Sequence, residues 1–222
     1  MSESESIEIR LCKAWDECVQ CEQVQREVWN MPDFRDVVPA SFLITAAKNG
    51  GLLVGAFQGA RMVGFAFGVL GSEGTGETRR LKHTSHMLGV LPTARVKGLG
   101  AQLKWRQREE ALKQGLDLMT WTYDPLQAVN AYLNIGRLGA LARRYTRDAY
   151  GEMTDGEILC VEIPADLNAL KAEDRALAAA WREHTRSTFE RAFAAGYAAT
   201  DAVRTRDAAG RLRVYYVLSK PD

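Results

Sequence analysis

Arg95-Val96-Lys97-Gly98-Leu99-Gly100 is the stretch whose residue types and spacing speak most directly of chemistry. An apolar run from Met87 to Leu91 reads as a strand leading into it, and a helix with Leu99, Leu103 and Leu112 on its inner face follows at once. That order leaves unpaired backbone N–H groups at a helix N-terminus, where they and the helix dipole favour an anion. Gly98 and Gly100 carry no Cβ, so a phosphate can approach the main chain closely. The ligand implied is a phosphorylated cofactor. A dinucleotide fingerprint would need a third glycine where Leu103 stands, and no P-loop pattern occurs, so neither nucleotide motif describes the stretch. Taken alone, it is also compatible with an ordinary strand-to-helix turn.

Other reactive side chains are sparse. On the strand before the loop, alternation puts His86 on the face of Thr84 and Leu88, and puts His83 on the opposite face, where it reads as loop or surface. His184, in a late helix, reads as a solvated or capping residue. Asn130 and Asn134 are spaced i, i+4, so both amides line one side of a helix whose interior does not favour asparagine. Asp124 reads first as the N-cap of that helix. Cys18 and Cys21 form C-x-x-C, but within a predicted helix and with no second pair or nearby His, so reduced, partly buried thiols are expected. Arg182, Arg186 and Arg191 lie near Trp181; they fit either a carboxylate-bearing ligand or a solvated helix face. Glu152 and Asp155 fit a cationic amine or plain solvation. No metal-ligand cluster and no Ser-His-Asp spacing is visible.

The elements that must position these groups follow from periodicity. Ile7 to Leu11 alternates as a strand; Trp15 to Trp29 has helical spacing and ends at Asn30 and Pro32; Pro39-Ala40-Ser41 opens a second helix that stops at Gly50-Gly51. Leu52 to Phe57 and Met62 to Leu70 read as a hairpin, and Gly71 to Lys82 as a surface loop. After the central strand and helix come a strand at Leu116 to Tyr123, a helix from Pro125 to Leu138 stopped by Gly139, and a strand at Glu157 to Ile163. An amphipathic helix from Ala172 to Ala195 and a hairpin of Tyr197 to Thr205 with Arg211 to Leu218 close the chain. The balance is that of a globular protein with ample core material: 222 residues, 46% hydrophobic and 26% charged. A net charge of +1 gives no support for a nucleic-acid or membrane surface. No apolar run approaches the length of a membrane span, and the acidic, serine-rich MSESESIEIR is unlike a signal peptide, so a cytoplasmic location is expected. Alternating strands and helices predict an α/β (α+β) domain with a mixed sheet.

With R-x-x-G-x-G between the fourth strand and third helix, this order resembles the GNAT acyltransferases over about residues 7 to 163. GGLLVGAF, HTSHMLGVLP, GLGAQLKWRQRE, WTYDPLQAVNAYLN and LGA...YGEMTDG further resemble a bacterial group of predicted GNAT acetyltransferases often encoded beside an N-acylamino-acid racemase or o-succinylbenzoate synthase. The resemblance implies a mixed, mostly antiparallel central sheet flanked by helices, with a GNAT acyl-CoA-binding core at 1–163 and a C-terminal helix and hairpin extension at 164–222. It implies acetyl-CoA, or another acyl-CoA, as cofactor. The pyrophosphate would meet main-chain N–H groups around Val96, Lys97, Gly98, Leu99, Gly100 and Ala101, with Arg95 at the Gln/Arg position of the motif. The main chain of Leu88, Gly89 and Val90 would pair with the pantetheine like an added strand. Asn130, at a motif asparagine, would support the pantetheine or its thioester end, and Asn134 could share that role.

Direct acyl transfer to an amine needs a base, an oxyanion donor and an acid for the thiolate. The resemblance places His86 where arylalkylamine N-acetyltransferases keep a proton-relaying histidine. The usual tyrosine position, four residues before the closing Gly139, holds Ile135, a departure from the family pattern. Tyr132, about one turn earlier, is the acid expected instead, with Tyr145 and Tyr150 as alternatives and packing with a wet hydroxyl as the other reading of all three. The expected activity is N-acylation of a small amine or amino acid, with monomer and homodimer both open. A GNAT fold that senses acyl-CoA, or binds another protein without turnover, is the alternative that Ile135 supports.

Overall fold

The computed structural model describes residues 6–31, 37–95, 98–143, 158–207 and 209–220. The chain divides into two compact units, Met1–Thr122 and Tyr123–Asp222.

The first unit is built on a five-stranded sheet in the order β1-β2-β3-β4-β5, where β1 is Ile7–Leu11, β2 Leu52–Gln58, β3 Arg61–Glu73, β4 Arg80–Val90 and β5 Met119–Thr120. Neighbours are antiparallel except β4 and β5, which run parallel. Helices α1 (Trp15–Trp29) and α2 (Ala40–Lys48) cover one face; Trp29 packs edge-on to Phe65, and Phe42 edge-on to Phe67. Helix α3 (Leu99–Lys113) covers the other, with Leu103 fully buried beneath it. Coverage on both faces is why β2 and β3 read as continuous apolar runs: Leu53, Val54, Phe65, Ala66 and Phe67 are all completely buried. Each large side chain among them stabilises the fold by roughly 1.5–3 kcal/mol. At the start of α1, where Ala14 offers no side-chain cap, the Glu17 carboxylate accepts the N–H groups of Lys13 and Ala14 and pairs with Arg10.

The second unit carries a three-stranded antiparallel sheet in the order β6-β8-β7: β6 is Ile158–Ile163, β7 Ala198–Arg206 and β8 Leu212–Ser219. Its core joins Ile163, Val214 and Leu218 to Phe189, whose ring meets Tyr216 edge-on. The Tyr216 hydroxyl donates to the Pro125 carbonyl at 3.0 Å, which satisfies the polar end of a fully buried ring. Residues Ala128–Ala131 form a short helix, α4, which passes into a π-helical turn at Tyr132–Arg137.

Four elements differ from the sequence expectation. Gly71 to Lys82 is mostly a continuation of the β3–β4 hairpin, with Gly71 opposite Lys82 and Glu73 opposite Arg80; only the tip is a turn. The strand expected at Leu116 to Tyr123 keeps just two paired residues, because β5 parts from β4 after Thr120. The Pro125-to-Leu138 helix begins later, since the Asp124 carboxylate holds Leu126 N–H in a turn first. The long helix from Ala172 is two: α5 (Leu167–Glu173) and α6 (Arg175–Ala194), separated at Asp174, whose carboxylate leaves the helical path to cap Leu177 N–H at 2.8 Å.

Candidate functional site

In the first unit the site is built where β4 and β5 separate. Their parallel pairing consists of His83 with Met119 and Thr84 with Thr120. From Ser85 to Val90 the outer edge of β4 has no strand partner among the described residues. Main-chain groups on that edge can pair with an extended ligand, the role expected of Leu88, Gly89 and Val90. One of them, the Val90 carbonyl, accepts a long 3.4 Å bond from Arg95 Nε; the Arg95 side chain is otherwise exposed.

Beyond β4 the chain reaches α3 through Gly98, which has φ of 95° and caps the helix with no side-chain hydrogen bond. Only glycine adopts that backbone without strain. Gly98 C=O receives Gln102 N–H, so the helix is regular from its first turn. The N–H groups of Leu99, Gly100 and Ala101 therefore precede any intrahelical acceptor, and they point out of the helix end toward a potential anion. Val96 and Lys97 lie outside the described residues. Among the described residues, an open strand edge and a helix N-terminus with no side-chain cap stand at the two ends of this stretch, able to pair with an extended chain and to hold an anion.

His86 occupies a β-bulge. Met87 opposes Phe67 and Ser85 opposes Gly68, which leaves His86 as the extra residue. The bulge corrects the simple alternation. His86 lies edge-on to Phe67 at 6.5 Å between centroids, on the α1/α2 face. Leu88 opposes Ala66, which lies between two residues of that face and so turns toward α3. The imidazole is exposed, and Phe42, whose ring also meets Phe67 edge-on, is 50% exposed.

The opposite face of the same point holds a buried polar cluster that sequence reasoning missed. Lys104, on α3, is only 5% exposed; its Nζ donates to Ser85 Oγ at 2.8 Å and lies 3.9 Å from the Trp121 ring centroid. Ser85 Oγ in turn donates to Gln107 Oε1 at 2.7 Å. Burial pushes the Lys104 amine down to about 7. His83, expected on a surface, is completely buried in this cluster, with neither ring nitrogen nor Gln107 Nε2 partnered among the described residues. Burial first, and the Lys104 charge second, hold His83 down to about 4. Parity was the available signal: Lys104 falls between Ala101 and Gln107 on the inward stripe of α3, and a lysine there is anomalous.

The remaining expected residues belong to the second unit. Tyr132 is 42% exposed at the start of the π-helical turn, with the Arg204 guanidinium 4.9 Å from its ring centroid. Asn130 is half-buried and Asn134 buried; Ile135, at 2% exposure, is core. Arg182 is held by Asp124, at 2.7 and 3.2 Å. His184 is exposed on α6. Tyr145, Tyr150, Glu152 and Asp155 lie outside the described residues. In the first unit Cys12, Cys18 and Cys21 are buried free thiols, and burial raises Cys12 to about 12. Among the described residues no group of His, Cys, Asp and Glu could hold a metal ion, and no helix is long and apolar enough to cross a membrane.

No family model and no curated protein matches the chain. Solved structures do. The aminoglycoside acetyltransferase meta-AAC0020 from an uncultured soil metagenomic sample, in complex with trehalose, is 14% identical with a TM-score of 0.52, over 67% of this chain and 97% of that one. Its sisomicin complex gives 15% and 0.51, over 68% and 97%. The aminoglycoside acetyltransferase AAC(6')-Iy, in complex with the bisubstrate analogue CoA-S-monomethyl-acetylneamine, is 15% identical with a TM-score of 0.50, over 68% of this chain and 99% of that one. At these identities the likeness is one of fold: the chain has the mixed α+β architecture of the GNAT acetyltransferases, a mixed central sheet flanked by helices.

Proposed function

We propose that the chain is an acyl-CoA-dependent N-acyltransferase, with acetyl-CoA the first donor to test and a small amine or amino acid as acceptor. The observation that carries this reading is the open outer edge of β4, bulged at His86 and running into the uncapped, left-handed Gly98 start of α3. The solved structures of like fold support it, one of them holding a CoA bisubstrate analogue.

A bound acyl-CoA supplies an activated thioester. The chain's own residues do the rest. The N–H groups of Gly98, Leu99, Gly100 and Ala101 hold the diphosphate, with Arg95, Val96 and Lys97 leading into them. The β4 main chain from Leu88 to Val90 orients the amide arm. His86, exposed on the opposite face from α3, takes the proton of the incoming amine, directly or through a water.

Incubation with acetyl-CoA and pooled amines tests the reading by colorimetric release of free thiol. Amine-dependent release supports it. The burial of Ile135, where the family pattern has tyrosine, favours a second reading, an acyl-CoA sensor without turnover. Calorimetric binding of CoA with no amine-dependent release would select that alternative.

A further inference from the structure

The reading above leaves Lys104 without a role, although an amine this deeply buried is costly to the fold. An apolar residue of similar volume would pack there without the desolvation penalty. Its surroundings offer no compensating charge. Among the described residues no carboxylate pairs with it, from β1, β2, β3 or β4; the titratable group that faces it is His83. What the fold provides instead is orientation. Gln107 accepts from Ser85, Ser85 accepts from Nζ, and the Trp121 face stabilises the cation. Of the three N–H groups on Nζ, one is committed to Ser85 and one direction faces the ring. A further donor has no acceptor among the described residues.

The location is specific. Ser85 is the first residue of β4 after the β5 pairing ends, and it immediately precedes the bulged His86. The edge along which a thioester arm would lie is thus flanked by His86 on the α1/α2 face and by Lys104 on the α3 face.

We propose that Lys104 is the acid of the transfer, protonating the CoA sulfur as the thioester bond breaks. The proposal rests on the acyl-CoA reading. The amine nitrogen forms its bond to the carbonyl carbon, the C–S pair leaves on sulfur, sulfur takes a proton from Nζ, and His86 takes the proton shed by nitrogen. Solvent returns a proton to Lys104 and removes one from His86 after release. Burial assists the step, because it favours the neutral amine that remains. Matching to a thiol is also close: an amine held near 7 gives up its proton to a thiolate without a large barrier.

Bound CoA reports the contact independently of turnover, because a thiolate absorbs in the ultraviolet where a thiol does not. In the intact chain, the thiol of bound CoA is expected to ionise at least about one pH unit below that of free CoA, since an ammonium beside it favours the anion. Lys104→Met should abolish that displacement and lower turnover by about 10- to 100-fold, with the affinity for desulfo-CoA unchanged. A bound thiol that titrates like free CoA in the wild-type chain overturns the proposal, whether or not the variant folds. So does a displacement that persists in Lys104→Met. If calorimetry detects no binding of CoA at all, the acyl-CoA reading itself falls and takes this one with it; binding with an undisplaced thiol removes the role of Lys104 alone.

Discussion

Ser85 and His86 are consecutive in β4 yet serve opposite faces of the first sheet: the Ser85 hydroxyl bonds Gln107 of α3, while the His86 ring meets Phe67 on the α1/α2 side. A strand does this at every step, but here His86 is also the extra residue of a bulge against β3, two residues after the β4 pairing with β5 ends.

If His86 is the base, His86→Gln should lower turnover at least roughly 100-fold and leave CoA affinity intact. Steady-state rates paired with calorimetry separate the two effects. An unchanged rate removes the assignment.

Gly98→Ala places a Cβ on a residue with φ of 95°. The expected cost is about 1–2 kcal/mol of stability, read from the urea midpoint. If the proposed acyl-CoA site is right, CoA binding should weaken as well, because relaxing that backbone turns the α3 N–H groups away from the diphosphate.

Gly68→Ala tests how tightly His83 is enclosed. A Cβ there would lie 2.6 Å from the Thr84 carbonyl oxygen and collide with the His83 ring. Destabilisation of about 1–3 kcal/mol is expected. A neutral result in denaturant titration would mean that the strand pair yields more readily than its packing implies.

The buried His83 makes stability depend on acid. Its folded value is near 4 against an ordinary 6.5, so between these limits the unfolded chain binds more protons. Stability should therefore fall as pH drops from about 6.5 to about 4, with a slope of up to about 1.4 kcal/mol per pH unit from this group. His83→Leu should flatten the profile in that window, measured by denaturant unfolding at a series of pH values.

The residues themselves determined a good deal. Continuous apolar runs at β2 and β3, the helical spacing of α1, and the strand-loop-helix order around Gly98 were legible because each depends on a local period or on one residue's backbone freedom. His86 could be picked out by type and by its place in the strand. Its sharing a face with Thr84 followed from alternation; that Leu88 turns to the other face did not, because a bulge is a property of the pairing between two strands and leaves no mark in the period of one. The early parting of β4 and β5 and the pairing of β6 with β8 are likewise long-range hydrogen-bond choices. The same holds for the cluster at Lys104: four polar residues, from Ser85 and His83 on β4 to Lys104 and Gln107 on α3, are ordinary in sequence and become costly only when the helix closes over the sheet and removes water from all of them. Local chemistry decided which elements form; tertiary packing decided which side chains lose their solvent.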